Sequence, residues 1–473
     1  MKQLAAPLLM PGVRLDRDAG GETKRALERA RLPWVMGFCL FGGELEQVAS
    51  LVRDLEDAAG RELRFASDME RGGGQQVRGL ATHPPLGVFG AVADAAEVEA
   101  IARAAASQAR RAGVDVLFAP VLDVRSEPRN PIVGARSFGS DAQRVAELGA
   151  AYCRGALAGG AFPVGKHWPG HGPTVDDSHD ACPLVEVPGD VLRARDLLPF
   201  EAAARAGCRA FMTAHVRYPT LDPSGVVATF SRVLCDEARA LGDAERPMVL
   251  VSDALLMAGA LGEGVDETEA ARRALEAGVD VLLYPEQPED VAAHLFDVDA
   301  ARAARLAEQA EAARERLART WGVRPPAAAP DAAAALVASV AARAVQPLAE
   351  HLAPARAVLV VDDDGTPESP VHGAVLMECL TDAGIPVRRV FSRGDYLPPP
   401  ASVAPATVVV AAEVRAWKGA AGVSEPLQEW LGRLPPHTPR VGLAPAHLDG
   451  IPGVIGHGPE LEAALADLLR SRP

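Results

Sequence analysis

Aromatic side chains make up only 4% of this 473-residue sequence, and tyrosine and lysine are scarce. Its six cysteines (Cys39, Cys153, Cys182, Cys208, Cys235 and Cys379) never fall at C-x-x-C spacing. That excludes a zinc ribbon or a disulfide framework and fits reduced thiols in the cytoplasm. Basic residues form no stripe and do not alternate with aromatics, and the formal charge is −15. Nucleic acid would therefore meet repulsion rather than an attractive field. No apolar run reaches the length of a membrane span. The short apolar stretch over residues 4–10 is interrupted by Pro7 and followed by Pro11, with no small-residue cleavage site, so it reads as a strand rather than a signal peptide. Phosphate-loop and dinucleotide fingerprints are missing too. What these absences leave is a soluble, cytoplasmic protein acting on a neutral or polar small substrate.

What is present is a repeating pattern. Hydrophobic residues reach 48%, ample for a packed core, and the length favours two domains. Apolar runs rich in Val, Leu and Phe occur at 8–13, 37–41, 63–68, 116–124, 162–168, 210–216, 248–255 and 281–285. Each is followed by an Ala/Arg/Glu-rich stretch of helical character, as expected for parallel strands covered on both faces. Eight such units predict a (β/α)8 TIM-like barrel over residues 1–322, with a doubly wound sheet as the alternative. After a charged helix over 300–320, the stretch Val323-Arg-Pro-Pro-Ala-Ala-Ala-Pro330 reads as a stiff linker. With a connecting helix it spans 323–355. Strands at 357–361, 387–391, 407–411 and 441–444 then predict a small α/β domain over 356–473.

The position of the polar residues decides for the barrel. Asp68, Asp123, Lys166, His167, His215 and Asp253 all fall at or beyond the C-terminal ends of expected strands, which a barrel gathers at one mouth. The densest stretch runs from Lys166 to His179 (K-H-W-P-G-H-G-P-T-V-D-D-S-H). Asp177 and His179 are two apart, on one side of an extended backbone, so the carboxylate can orient the imidazole and raise its basicity. The bland reading is a capped loop. Asp253 ends the apolar run Val-Leu-Val-Ser, where a partly shielded carboxylate suits a covalent nucleophile and equally suits a helix cap. Asp68, Arg136, Lys166 and His167 offer the charged, bidentate contacts that grip vicinal hydroxyls, or else structural ion pairs.

Together these stretches resemble glycoside hydrolase family 3, in its β-N-acetylglucosaminidase branch. The match runs through residue 320 in the family's order: the D-x-E strand end at Asp68, the N-P-x-x-G-x-R-S-F loop from Asn130, the K-H-x-P-G-H-G…D-S-H loop, M-T-A-H-V and the S-D strand. The resemblance implies a retaining β-N-acetylhexosaminidase that needs no metal or other cofactor. Asp253 would be its nucleophile and His179 its acid/base with Asp177 as partner. Asp68, Arg136, Lys166 and His167 would hold a small carbohydrate, with His215 as a further contact supporting the site. It also implies a place in peptidoglycan recycling. Gln76 stands where the family often has a sugar-binding Arg, Trp168 replaces Phe, and Pro173 replaces Asp, which puts sugar and aglycone preference in question. A β-glucosidase or xylosidase of the same family, and a glycoside phosphorylase, stay open as alternatives. A metal-dependent hydrolase using His167, His171, Asp176, His179 and His215 lacks the H-x-H strand such enzymes need. A non-enzymatic sugar-binding barrel is the alternative from a different class.

Overall fold

The computed structural model describes residues 6–16, 21–128, 130, 132–175, 182–257, 260, 265–329, 333–351, 357–362, 374–382, 385, 387–391, 407–412, 425–434, 440–444, 453–455 and 459–470. The chain has an α/β fold with parallel sheets, divided into two compact units. The first comprises Met1–Thr82, Ala95–Glu127 and Ser140–Ala332. The second takes His83–Asp94, Pro128–Gly139 and Ala333–Pro473.

In the first unit every expected apolar run contains a strand: β1 (Leu9–Met10), β2 (Gly12–Arg14), β3 (Gly37–Phe41), β4 (Arg64–Ser67), β5 (Val116–Leu117), β6 (Phe162–Pro163), β7 (Gly165–Trp168), β8 (Ala210–Thr213), β9 (Val249–Ser252) and β10 (Leu282–Leu283). Two runs are split, the first at Pro11, which has no N–H for a ladder, and the fifth at Val164. Among the described residues these strands pair in parallel only. β1 joins β10; β2 to β6 pair in sequence; and β7, β8 and β9 pair in sequence. Single parallel bridges connect these sets: Leu9 to Val35, Val121 to Lys166, and Val251 to Val281. Buried Val, Leu, Ala and Phe fill the strands on both sides, as continuous apolar runs require. The helices between them, such as Leu45–Ala59 and Ala142–Ala158, bury one face.

Charge is buried at the N-terminal ends of the strands, and there it is paired. Asp115, just before β5, takes Arg64 of β4 at 3.1 Å and Arg324 at 2.8 Å, and accepts from the Phe65 amide at 2.8 Å. Asp280, before β10, takes Arg239 at 3.0 Å, Arg316 at 2.7 Å and the Leu250 amide at 2.8 Å. Through Arg324 the linker is tied down rather than free. Arg324 also reaches Glu56 at 2.7 Å, and the Ala328 carbonyl accepts from Ser107 at 3.0 Å. Residues 322–329 thus run along the first unit.

The second unit carries a parallel sheet of β11 (Ala357–Asp362), β12 (Val387–Phe391), β13 (Thr407–Ala412), β14 (Arg440–Ala444) and β15 (Gly453–Ile455), in the order β12-β11-β13-β14-β15. β15 was not expected from the sequence: three residues, one of them Gly, give little periodicity. Among the described residues no helix is long and apolar enough to cross a membrane.

Asp280→Ala leaves two guanidinium groups and an amide without their shared acceptor. It should lower unfolding free energy by about 3–5 kcal/mol, read from urea melts of the full chain. A loss below about 1 kcal/mol would show that the pairs contribute little net stability.

Candidate active site

The C-terminal ends of the strands hold the other population of buried polar groups. Asp68 and Glu70 follow β4, Asp123 follows β5, Lys166 and His167 lie on β7, His215 follows β8, and Asp253 follows β9 directly. An apolar strand brings each there, because the run of Val, Leu and Phe fixes where the chain leaves the core.

Two of the expected residues touch. Lys166 is 2% exposed, and its Nζ lies 2.7 Å from Asp68 and 2.7 Å from Glu70. Glu70, itself buried, is the last residue of the D-x-E strand end and shares the same ammonium. The pair of carboxylates balances Lys166 and leaves Asp68, a third exposed, as the one presented to a ligand. Beneath them, burial pushes the Cys39 thiol up, helped by the Asp68 charge. It is inert as a nucleophile.

Asp123 organises the next group. It is fully buried, and its Oδ2 accepts from His167 Nδ1 at 2.7 Å. Its Oδ1 accepts from the amides of His167 at 3.1 Å and His171 at 2.7 Å. Burial alone would push this carboxyl up, but the His167 ring and the His171 amide outweigh it and hold the pKa below the ordinary carboxylate value. His167 therefore spends Nδ1–H on Asp123 and keeps Nε2 for other use. His171 is different. Burial, then the neighbouring His167, drive its pKa down to about 4, against the attraction of Asp123 and Asp253, so it is neutral at pH 7. Its Nδ1 lies 2.8 Å from Thr174 Oγ1, whose own hydrogen goes to the His171 carbonyl at 3.1 Å.

Asp253 is half-buried. Its amide donates to the Thr213 carbonyl at 3.2 Å, and its Oδ1 accepts from the Ala254 amide at 2.8 Å. His215, 0% exposed, engages both ring nitrogens: Nε2 donates to the Ala254 carbonyl at 3.1 Å, and Nδ1 lies 2.9 Å from Thr229 Oγ1. It braces the residue after Asp253. Arg136 belongs to the second unit, where its Nη1 donates to the Ile132 carbonyl at 3.2 Å. Asp177 and His179 lie outside the described residues, as does Asp176. Among the described residues no group of three His, Cys, Asp or Glu side chains is placed to hold a metal ion.

Two residues had no signal in the sequence. Tyr284, after β10, sits at φ 48°, an uncommon conformation for an aromatic residue. Its hydroxyl accepts from Arg14 at 3.1 Å, and the Arg14 guanidinium lies 4.8 Å from the Phe41 ring centroid.

An α/β protein with carboxylates, a lysine and histidines gathered at the C-terminal ends of its parallel strands has the arrangement of a hydrolytic enzyme site. Comparison with known proteins makes the class specific. The family model described as glycosyl hydrolase family 3 N terminal domain matches residues 22–320. The chain belongs to glycosyl hydrolase family 3. It is 36% identical over 309 residues to a protein of Chromobacterium violaceum named β-hexosaminidase, covering 62% of this chain and 84% of that one. A solved family 3 β-N-acetylglucosaminidase from a Paenibacillus species shares the fold at TM-score 0.78 and 24% identity, over 98% of this chain and 95% of that one. NagZ from Neisseria gonorrhoeae, solved with N-trifluoroacetyl-D-glucosamine, aligns at TM-score 0.53 and 29% identity, over 68% and 96%.

The buried groups set opposite pH responses. His171 has its folded pKa depressed from 6.5 to about 4, so its contribution is present above pH 6.5 and lost as pH falls toward 4. Asp196 is raised from 3.8 to about 6, mainly by burial, so the folded state gains a proton first and is relatively stabilised on acidification. The His171 effect is on the order of 3 kcal/mol. Urea melts at pH 7.0, 5.5 and 4.5 should show His171→Gln flattening the acid-side loss and Asp196→Asn steepening it. Parallel curves for all three proteins would refute both assignments.

Proposed function

We propose that the protein is a retaining β-N-acetylhexosaminidase that removes terminal N-acetylglucosamine from small glycosides. The carrying observation is the placement of Asp253 at the end of β9, within electrostatic range of His171, in a sheet where β8 joins β9 to β7, the strand of Lys166 and His167. Family membership and the names of the relatives support it. The strand pairings lead from β10 through the bridges back to Val281 beside β10, which supports a closed (β/α)8 barrel with a smaller α/β domain after it.

In this reading Asp253 attacks the anomeric carbon while His179, oriented by Asp177, protonates the leaving oxygen. Water, deprotonated by His179, then releases the sugar from Asp253. Asp68, Lys166 and His167 grip the sugar hydroxyls, His167 through the Nε2 that Asp123 leaves available. Both ring nitrogens of His215 are taken by the protein, which supports bracing of Asp253 over direct sugar contact. The reaction asks for no metal. Its setting would be the cytoplasm, on fragments released during cell-wall turnover.

Para-nitrophenyl β-N-acetylglucosaminide and the matching β-glucoside, assayed with EDTA present, test this. The N-acetyl sugar should be preferred. Asp253→Ala should lose more than about 10⁴-fold in kcat, and His179→Ala about 10²–10⁴-fold. Preference for the glucoside, with His179→Ala unaffected, would replace this reading by a β-glucosidase with its acid elsewhere.

A further inference from the structure

The strand ends between Asp253 and Asp68 carry a group that hydrolysis by Asp253 and His179 does not use. Strand order there follows from the pairings: Val281 bridges to Val251 of β9, β10 pairs with β1, β2 with β3, and β3 with β4. Asp253 follows β9 and Asp68 follows β4. Between them stand Tyr284 after β10, Arg14 at the end of β2 and Phe41 at the end of β3. The Tyr284 and Phe41 ring centroids lie 5.4 Å apart, with the planes tilted by 30°. The Arg14 guanidinium sits 4.8 Å from the Phe41 centroid, and its Nε donates to the Tyr284 hydroxyl at 3.1 Å. All three side chains are half-buried.

Register turns this group toward the candidate site. Gly12 pairs with Cys39 and Arg14 with Phe41, and residues two apart on a strand share a face. Cys39 is buried, and the charges of Asp68, Lys166 and Arg14 all act on its thiol. Arg14 and Phe41 therefore stand one step nearer the strand ends, on the face turned to Lys166 and Asp68. On the other side, the Leu255 amide donates to the Leu283 carbonyl at 3.0 Å, which sets Tyr284 beside the segment that starts at Asp253. The backbone is bent to hold the ring there: φ 48° favours glycine and is rare for an aromatic residue. The ring fits because residue 12 is glycine, where a Cβ would sit 2.0 Å from Tyr284 Cε2. A ring needed for packing alone gains by full burial, and here an unfavourable backbone is kept for a ring left partly exposed. Two tilted rings offer apolar surface, and a phenol that accepts from Arg14 can donate its own hydrogen. That suits a ligand with C–H surface on one face and oxygens at its edge, as a pyranose ring has.

We propose that Tyr284 and Phe41 form a platform for the face of the transferred sugar, with Arg14 as a positioning residue that fixes the Tyr284 hydroxyl toward the sugar's edge. This rests on the glycosidase reading, in which Asp68 holds the sugar hydroxyls and Asp253 meets the anomeric carbon. The sugar then spans the arc of strand ends between those two carboxylates, and the rings line that arc. The leaving group does not touch them.

The test uses the full-length protein in two independent measurements. Calorimetric titration with N-acetylglucosamine gives the affinity for the sugar alone. Rates on phenyl and para-nitrophenyl β-N-acetylglucosaminide separate effects on the sugar from effects on the leaving group. Tyr284→Gly suits the backbone at φ 48° and should melt no lower than wild type, yet bind the sugar about tenfold more weakly. Its kcat/KM should fall by the same factor on both substrates. Tyr284→Phe keeps the ring and should lose about threefold. Sugar affinity of Tyr284→Gly equal to that of wild type overturns the platform. So does a loss confined to one leaving group, which would place the rings against the aglycone, or a fall in kcat alone, which would make Tyr284 a brace for Asp253. A melting temperature of Tyr284→Gly several degrees lower overturns it as well, because the ring would then serve packing. If the wild type cleaves neither glycoside, the glycosidase reading fails, and sugar binding by wild type and Tyr284→Gly still decides the platform.

Discussion

A fully buried carboxylate, Asp123, holds the candidate site together. An isolated charge at such depth is costly by several kcal/mol, and Asp123 is tolerated because three N–H groups converge on it. Two of those donors are backbone amides, one from His167 on β7 and one from His171 on the loop that leaves it, and the third is the His167 ring. One side chain thus fixes where β7 ends, how the following loop turns and which nitrogen of His167 is left available. The neutral state of His171 goes with this packing: burial first, and then the neighbouring His167, hold its pKa down.

The same economy of buried charge divides the first unit by strand end. At the N-terminal ends, Asp115 and Asp280 each collect arginines distant in sequence, and every oxygen accepts from an arginine or a backbone amide. Nothing there is offered to a ligand. At the C-terminal ends the carboxylates keep some exposure: Asp68 remains a third exposed although it touches Lys166, and Asp253 is half-buried with an oxygen on its own neighbour's amide. Stability and chemistry draw on the same residue types, and the exposure kept by Asp68 and Asp253 separates them from Asp115 and Asp280.

Much of this was legible because apolar runs of four or more residues mark parallel strands, and polar residues directly after them mark strand ends. Lys166, His167, Asp68 and Asp253 were found that way, and the K-H-x-P-G-H-G loop pointed to the family. What sequence alone did not reveal depended on partners far along the chain. Asp123 looked like any carboxylate after a run, and only the approach of His167 and His171, 44 and 48 residues later, gives it a task. Glu70 was hidden in the same way by Lys166. Tyr284 and Arg14 meet across 270 residues, with no local pattern at either. The Pro/Ala stretch read as a spacer because composition says nothing of Arg324 reaching Asp115 and Glu56.

Glycine explains how the histidine loop keeps its place against Asp123. Gly172 passes so close to the Val124 carbonyl that any Cβ would collide with backbone, and Gly170, at φ 128°, packs over Asp196 while its carbonyl accepts from Tyr218 at 2.8 Å. The loop is therefore held by backbone contact on both sides of His171, which is what delivers that residue's amide to Asp123 at 2.7 Å. A looser loop with side chains at these positions would stand farther off and leave the carboxylate short of a donor. The two glycines thus act on the charge of Asp123 as surely as His167 does, by setting the distance over which its hydrogen bonds form.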